Sequence, residues 1–322
     1  MKTTKIIYTT GLLLSSFLFS CRKTTPVSTP VTTTYSSMDE VFGQLNLQSK
    51  TLTVDAAIGG SFFGNSGTHY NFYPNAFKTA SGANVTGSVQ IEVTEYLQKG
   101  DMLFSKMLPI SNNEPLLSGG EINVVATQGG QEVFLKWGYP LIASVPVSGT
   151  APTGMKLFTG QPNLDTTQMK ANWVLPVRDS AKYMIGIFVQ HVGSGGGDTL
   201  NIVSDSLRLC NADQFMTSPI YQTFTVTIAV TGATLPSTGV FGYTLYDTYK
   251  GVWPLGRIGS YSAGVFTEMH VPNIPVHFVV FTLINGKFYG GTLGATPATG
   301  SNYTVTLTQQ DAVAFKTQLN NL

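Results

Sequence analysis

The chain of 322 residues carries a formal net charge of +1, and only 11% of its residues are charged. Soluble domains usually contain roughly 25% charged residues, so Thr, Ser, Gly, Asn and Gln must provide most of the polar surface here. The near-zero charge excludes a basic surface for nucleic acid. The composition as a whole favours an extracytoplasmic β-rich protein over a cytosolic helical enzyme.

The N-terminal 20 residues have the pattern of a bacterial secretory signal peptide. Lys2 and Lys5 precede an apolar run over residues 6–19, which is shorter than the roughly 20 residues that a membrane-spanning helix needs. The run ends in Leu18-Phe19-Ser20-Cys21, which resembles the lipobox of bacterial lipoproteins. The resemblance implies cleavage before Cys21, diacylglycerol on its thiol and acylation of the new N-terminus. The alternative is a chance cysteine after an ordinary signal peptide.

A lipid on Cys21 would anchor the protein to a membrane without a transmembrane helix, because each buried methylene contributes about 0.8 kcal/mol. Arg22 stands where an acidic residue retains some lipoproteins in the inner membrane, so we expect an outer-membrane lipoprotein, on either face of that membrane. Loss of residues 1–20 removes two lysines and changes the formal charge to −1. Cys210 is then left without a cysteine partner in the chain, and the fold is expected to rely on its apolar core.

Residues 21–40 are predicted to form a Thr/Pro/Ser-rich tether between the lipid and the folded part of the protein. Pro26 and Pro30 favour extended backbone, and the segment has no apolar period. A first strand is the alternative, but proline cannot donate to a sheet ladder.

Residues 41–148 alternate strand patterns with turns and predict a first β-sandwich. Over residues 85–96 the side chains alternate with the period of two that a half-buried strand has. Gly129-Gly130 predicts a hairpin between strands at residues 122–126 and 132–137. Glu92 and Glu95 are three apart and face opposite sides of a strand, so we interpret them as solvated charges rather than an acid/base pair.

Several segments of this first region resemble a recurrent N-terminal module of Bacteroidota lipoproteins, which is itself similar to ZU5-type β-sandwiches. They are Asn75-Ala76-Phe77, residues 82–85, residues 87–93, Asp101-Met102-Leu103 and residues 117–121. The resemblance covers residues 55–146 and implies a β-sandwich. ZU5 domains elsewhere take part in protein–protein contacts, and the module brings no catalytic residues with it. Residues 207–215 partly resemble a Trp-x-Asn-Cys-Asp-x-Phe segment of the same lipoproteins, with leucine in place of Trp and the Cys position shifted.

The rest of the chain is predicted to contain a connecting β-rich region, residues 149–218, and a second β-sandwich, residues 219–322. Within the connecting region a strand is expected over residues 199–209. The strands expected in the second sandwich are residues 224–230, 240–248, 265–271, 276–284, 287–293 and 303–307. Their regular spacing suggests an immunoglobulin-like or transthyretin-like character, and Asn285-Gly286 suits a type I′ hairpin turn.

The chain is expected to end in a short helix, which residues 308–311 can cap and whose apolar face carries Phe315, Leu319 and Leu322. No other helix is predicted after the signal peptide. The predicted fold class is therefore all-β, with a ZU5-like sandwich, then an immunoglobulin-like or transthyretin-like sandwich, and a C-terminal helix.

Motifs for catalysis or metal binding are missing from the sequence. The histidines are His69, His191, His270 and His277. No pair of them has the spacing of a zinc-binding helix, and no Gly-x-Ser-x-Gly occurs. Asp205, Asn211 and Asp213 lack the regular spacing of a calcium loop, so turn and capping roles are favoured. We therefore expect neither a metal nor a cofactor.

Aromatic residues are concentrated in the second half of the chain. Tyr243, Tyr249, Trp253 and Tyr261 are the candidate binding residues, because aromatic rings stack on sugars and dominate protein interfaces. The strand period places Tyr243 and Tyr249 on one face and Tyr246 on the other, so some of these rings must belong to the core.

The leading hypothesis is a lipid-anchored cell-envelope protein with a non-enzymatic binding or structural role toward protein or glycan. The alternative is a polysaccharide-directed hydrolase, with acids such as Asp101, Glu114 or Glu121 brought together only by the fold. Such an enzyme needs two carboxyls about 5–9.5 Å apart in an open cleft. Flat sheets with exposed aromatic residues would favour the binding protein.

Overall fold

Strands dominate the computed structural model of this protein, with about 53% of residues in strands and 9% in helices. The structure describes residues 33–147, 150–163, 169–176, 185–191, 197–216, 221–257 and 259–322. The predicted signal peptide, Cys21 and most of the predicted tether therefore lie outside the described residues. The described residues belong to one compact unit, Thr32–Leu322, and its all-β class agrees with the prediction.

The first sandwich consists of two sheets whose inner faces share one core. Its strands are β1 (Lys50–Asp55), β2 (Gly60–Phe63), β3 (His69–Phe72), β4 (Phe77–Lys78), β5 (Ser88–Tyr96), β6 (Ile110–Ser111), β7 (Glu114–Gln128), β8 (Gln131–Glu132), β9 (Phe134–Leu135), β10 (Leu141–Pro146), β11 (Lys156–Pro162), β12 (Ala171–Val174), β13 (Gly186–Gln190), β14 (Thr199–Ser204) and β15 (Arg208–Phe215). Sheet I has the order β1-β5-β7-β15-β11-β12, with β6 and β8 also paired to β7. Sheet II has the order β13-β14-β10-β3-β2, and β4 and β9 form a separate two-stranded ribbon.

Strands from the predicted connecting region complete both sheets of this first sandwich. β14 pairs with β10 in sheet II, and β15 pairs with β7 at the centre of sheet I. The segment 199–209, predicted as a single strand, is divided between β14 and β15. The reason is that its two ends belong to different sheets, which sequence period alone does not reveal.

The second sandwich has strands β16 (Tyr221–Val230), β17 (Phe241–Tyr246), β18 (Val252–Pro254), β19 (Ser260–Ser262), β20 (Val265–Pro272), β21 (Val276–Ile284), β22 (Lys287–Ala295) and β23 (Asn302–Gln309). Their order is β18-β17-β21-β22-β23-β16-β20-β19. β23 pairs in parallel with β16 and makes a short antiparallel contact with β22, so it joins the two halves of this sheet around one core.

Two predicted hairpins are confirmed by their backbone angles. Asn285 and Gly286 have φ of 51° and 75° between β21 and β22, as a type I′ turn requires. Gly129 and Gly130 have φ of 57° and 77° between β7 and β8. The predicted second strand of this hairpin is interrupted, because Phe134 and Leu135 pair with β4 instead.

Three helices occur among the described residues, although only the C-terminal one was predicted. They are α1 (Met38–Leu45), α2 (Lys99–Ser105) and α3 (Ala312–Asn320). α1 begins inside the predicted tether, where the Ser37 side chain accepts a hydrogen bond from the Glu40 amide at 3.2 Å and caps the helix. Tyr35 is already buried, and its amide donates to the Gly286 carbonyl. The predicted tether can therefore extend no further than residue 34.

All three helices pack on the core of the second sandwich. Phe281 of β21 lies at the centre of this core, and its ring is 6.0 Å from Phe42 of α1, 5.2 Å from Phe104 of α2 and 6.2 Å from Phe315 of α3 between centroids. Isolated helices of seven to nine residues are not stable in water, so this packing is what makes these segments helical. Their sequences were too short to reveal it.

Candidate functional site

A surface groove of about 520 Å³ lies at one edge of the first sandwich. We call it the Trp137 groove; the residues that define it are Lys78, Glu132, Phe134, Trp137, Asp205 and Arg208. Leu135 and Leu207, which are buried, also line it. Its volume is in the range of 300–1,000 Å³ that is usual for small-molecule sites.

The β4–β9 ribbon positions the aromatic side of this groove. Lys78 pairs with Phe134 in the ribbon, and the Lys136 amide donates to the Ala76 carbonyl at 2.7 Å. Trp137 follows directly and precedes Gly138, whose φ of 82° forms the turn. The Trp137 side chain is 70% exposed, which is unusual for so large an apolar residue.

An ion pair between two strands of sheet I also lines the groove. Arg208 donates from Nε and Nη2 to the two carboxylate oxygens of Glu132, at 2.7 and 2.6 Å. This bidentate geometry fixes the guanidinium plane, and the hydrogen bonds that Arg208 donates to Glu132 raise the pKa of Arg208 above its ordinary value. Arg208 also has a φ of 83°, a strained value for a residue with a side chain. Such a strained residue fits a functional position.

The groove combines an exposed ring with charged groups that balance one another. Lys78 and Arg208 supply two cations, and Glu132 and Asp205 supply two anions. An indole face packs against apolar C–H surfaces, while charged side chains form hydrogen bonds with hydroxyl groups. The arrangement therefore suits a ligand with both an apolar face and hydroxyl groups but little net charge.

The aromatic residues predicted as a binding surface do not form one. Tyr243 is 1% exposed and Trp253 is fully buried, and both belong to the core of the second sandwich. Tyr249 is 36% exposed, and Tyr261 is half-buried against Phe266 at 4.7 Å between ring centroids. The strand period could not reveal this, because the second sandwich covers both faces of β17.

Tyr243 and Tyr261 do share a smaller pocket of about 230 Å³ in the second sandwich. The other residues that line it are mostly apolar and include Phe241, Leu255 and Phe266. None of the residues that line this pocket is charged. It therefore offers fewer polar contacts to a ligand than the Trp137 groove does.

The three acids named for the hydrolase hypothesis are not brought together. Asp101 forms an ion pair with Lys316 at 2.8 Å, and Glu114 accepts a hydrogen bond from the Tyr221 hydroxyl at 2.8 Å. Glu121 is buried beside the carboxylate of Asp213, on the neighbouring strand β15. The sequence had favoured a turn or capping role for Asp213, and this was wrong. Both of these side chains are 0% exposed, so substrate has no access to them in this structure.

Glu92 and Glu95 were expected to face opposite sides of a strand and to be solvated. The first expectation is confirmed, and the second is wrong for Glu95. The two side chains do face opposite sides of β5, and Glu92 is exposed. Glu95, however, is buried and accepts hydrogen bonds from the amides of Ser66 and Thr68 at 2.7 and 3.2 Å. It anchors the loop between β2 and β3 and is not a solvated charge.

Three histidines and the one described cysteine have structural surroundings. His191 lies 3.0 Å from Asp198 and His277 lies 2.6 Å from Asp247, while the ring of His69 is 4.8 Å from that of Phe63. Cys210 is a buried free thiol whose pKa is raised to about 11 by burial. Within the part of the chain that the structure describes, no three His, Cys, Asp or Glu side chains are grouped as a metal site would require.

Sequence reasoning missed the residues of the Trp137 groove because they are far apart in the chain. Trp137 and Arg208 meet only when β8 and β15 both pair with β7. The one available signal was the turn Trp137-Gly138-Tyr139-Pro140, since a tryptophan in a turn is poorly placed to enter a core.

Comparison with known proteins adds no relative from which a site could be transferred. No protein-family model matches this chain, and no curated protein matches it either. In the described residues, no helix has the length and apolar character needed to cross a membrane. The geometry of the Trp137 groove is therefore the basis for the function proposed below.

Proposed function

We propose that this protein is a lipid-anchored component of the bacterial cell envelope that binds an uncharged glycan in the Trp137 groove, without catalysis. The observation that carries the proposal is the combination of a 70% exposed indole with four charged hydrogen-bonding side chains in a groove of about 520 Å³. The pattern that ends in Cys21 supports the lipid anchor, and Arg22 supports residence in the outer membrane. The resemblance to Bacteroidota lipoproteins belongs to the same proposal.

The shape and charge of the groove favour a glycan over a protein partner. A stable protein interface buries more than about 1,000 Å² of total surface, whereas this groove is concave and small. The apolar face of a sugar ring can lie on Trp137, and its hydroxyl groups can reach Lys78, Asp205 or the Glu132–Arg208 pair. Because the groove is lined by two cations and two anions, an uncharged sugar chain fits better than an acidic one.

Substitution of the exposed tryptophan tests the binding role. The readout is the retardation of the protein in native gels that contain soluble neutral polysaccharides. Trp137→Ala is expected to raise the Kd for the polysaccharide roughly thirtyfold, because truncating a central aromatic contact costs about 2 kcal/mol or more. The full-length protein in detergent is the sample, and circular dichroism verifies that the variant is folded.

Tyr249→Ala is the matched control, because Tyr249 is also an exposed aromatic residue but lies in the second sandwich. It should bind as the wild type does. If every polysaccharide that retards the wild type retarded Trp137→Ala equally, the proposal would be contradicted. Release of reducing ends from the bound glycan would contradict its non-enzymatic part, and capture of a protein with no glycan retention would favour the protein-binding hypothesis.

The lipid anchor has its own test in the native host. Cys21→Ala is expected to abolish incorporation of a palmitate probe, because the acylated thiol is gone, while Cys210→Ala should leave labelling unchanged since that thiol is buried. Continued labelling of Cys21→Ala would show that the cysteine follows the signal sequence by chance.

The hydrolase alternative gains no support from the acids that the fold brings together. A glycosidase needs its two carboxyls in a cleft that the substrate can enter. Glu121 and Asp213 are both 0% exposed, so they give no such cleft.

A further inference from the structure

Two carboxyl groups lie side by side inside sheet I, on the central strands β7 and β15. The Asn211 amide Nδ2 donates to Glu121 Oε1 at 3.3 Å and to Asp213 Oδ2 at 2.5 Å. The Ser118 hydroxyl in turn donates to Asn211 Oδ1 at 3.1 Å. All four side chains are buried, and both acids are 0% exposed. One amide group thus bridges two acids away from solvent.

No positive charge among the described residues forms an ion pair with these two acids. Among the described residues, neither carboxylate forms an ion pair, and Glu121 Oε2 and Asp213 Oδ1 have no hydrogen-bond partner. A buried carboxylate without a nearby cation is strongly unfavourable. Two buried carboxylates that share one amide donor are still less favourable, because they also repel each other. A proton is the simplest species that removes this charge.

Two titratable groups on neighbouring elements, Tyr96 and Lys250, are also in surroundings that favour their neutral forms. Tyr96 of β5 pairs with Glu121, and burial together with the charge of Glu121 raises its pKa to about 12. Lys250 of the second sandwich forms a backbone bridge with Ser118, and burial lowers its pKa. Lys156 of β11 pairs with Asp213, but its side chain is exposed.

The pair lies where the two sandwiches meet. Besides the bridge between Ser118 and Lys250, the Glu114–Tyr221 hydrogen bond at 2.8 Å joins β7 to β16. Arg257 also donates to Asn113 Oδ1 at 2.7 Å across the same junction. Ionisation of Glu121 or Asp213 would therefore place a buried negative charge next to β7, the strand that contacts the second sandwich.

We propose that Glu121 and Asp213 share at least one proton at neutral pH and form a proton-dependent lock between the two sandwiches, which alkaline pH releases. Burial raises the pKa of both carboxyl groups well above their ordinary values, and for Glu121 the neighbouring Asp213 adds to the shift. In the unfolded chain these groups titrate near pH 4. The folded state therefore binds more protons above that pH, so the contribution of the pair to stability is full below about pH 4 and is lost as pH rises toward the folded pKa values.

Unfolding of the full-length protein by urea, measured between pH 4 and pH 9, tests this lock. At pH 8 the unfolding constant of Glu121→Gln is expected to be at least about tenfold smaller than that of the wild type, since one pKa unit corresponds to a factor of ten. The difference should shrink toward pH 4. Asp213→Asn should act in the same direction, and the double variant should show the weakest dependence on pH.

Glu92→Gln is the matched control, because Glu92 is an exposed acid on the adjacent strand β5. Its unfolding constants should follow those of the wild type at every pH. If the curves of wild type and Glu121→Gln also run parallel from pH 4 to pH 9, the proposal is overturned. It is equally overturned if calcium stabilises the wild type but not Asp213→Asn, because a metal ion rather than a proton would then neutralise the pair.

A second measurement does not depend on whether the variants fold. Infrared spectra of the wild type at pH 7 are expected to contain the carbonyl band of a protonated carboxylic acid, which disappears on alkaline titration together with the lock. The absence of this band at pH 7 would show that both acids are ionised, and the proposal would fail.

Discussion

The two sandwiches of this protein fill their cores in different ways. The first core consists mainly of Val, Ile, Leu and Ala side chains from two facing sheets, with Tyr70, Phe72 and Phe77 as its buried aromatic residues. Phe158 and Trp173 of sheet I are buried in a separate small cluster. The second core is aromatic at its centre. There Phe281 contacts rings from three helices and from the neighbouring strands β17 and β22.

The two cores also draw on different parts of the chain. The buried residues of the first core come from one continuous region, between Val54 and Ala212. Those of the second come from both ends of the described chain and from its middle, since α1, α2 and α3 all contribute. A core made of nearby strands can form locally, whereas the second sandwich is complete only when distant segments have met. The second sandwich is therefore the part of the molecule that depends most on the whole chain.

The largest expected effect comes from the centre of the aromatic core. Phe281→Ala is expected to destabilise the protein by about 3–5 kcal/mol in urea unfolding, because it removes a ring that contacts six others and leaves a cavity. Amide chemical shifts measured by NMR should change throughout α1, α2 and α3.

Leu200→Ala in the first core gives the matched comparison. Leu200 is fully buried on β14, and its truncation should cost about 2–5 kcal/mol while leaving the helix chemical shifts in place. Phe188→Ala, at an exposed position of sheet II, should change stability by less than about 0.5 kcal/mol. If Leu200→Ala perturbed the three helices as much as Phe281→Ala, the two cores would not be distinct.

A smaller effect is expected at the end of the helix that closes the second core. Asp311 caps α3 by accepting a hydrogen bond from the Ala314 amide at 2.8 Å, so Asp311→Ala should lower the free energy of unfolding by about 1 kcal/mol. Asp311→Asn keeps an oxygen acceptor and serves as the control. A loss from Asp311→Asn equal to that from Asp311→Ala would mean that the charge, rather than the cap, stabilises the helix.

Local patterns in the sequence identified most strands and the pairing within two hairpins, but not the pairing of strands that are far apart in the chain. The period of two along β5 and the Asn285-Gly286 turn are set by neighbouring residues, and both are found in the structure. Pairing is different, because β15 joins β7 across more than eighty residues of chain and carries Asn211 and Asp213 with it. These two residues were interpreted as turn or capping residues, since nothing local shows that they enter a buried sheet.

The candidate site was also out of reach of local sequence patterns, because its residues come from distant parts of the chain. Trp137, Glu132 and Arg208 belong to no sequence motif, and only the pairing of β8 and β15 with β7 places them around one groove. Tyr243 and Trp253 were candidate binding residues because they lie in a cluster of aromatic residues in the sequence, some of which were expected to belong to the core. The structure buries them, because the apolar area they remove from water stabilises the core more than exposure would.

The sequence by itself determined the all-β class, the hairpin turns and the C-terminal helix, because backbone preferences and side-chain period act over a few residues. It also carries the prediction of a lipid anchor at Cys21, which lies outside the described residues. Tertiary structure decided which charges are buried, which aromatic rings remain exposed and which helices form. These depend on contacts between segments far apart in the chain, and the free energy of such contacts is set by burial and by the partners that each group meets.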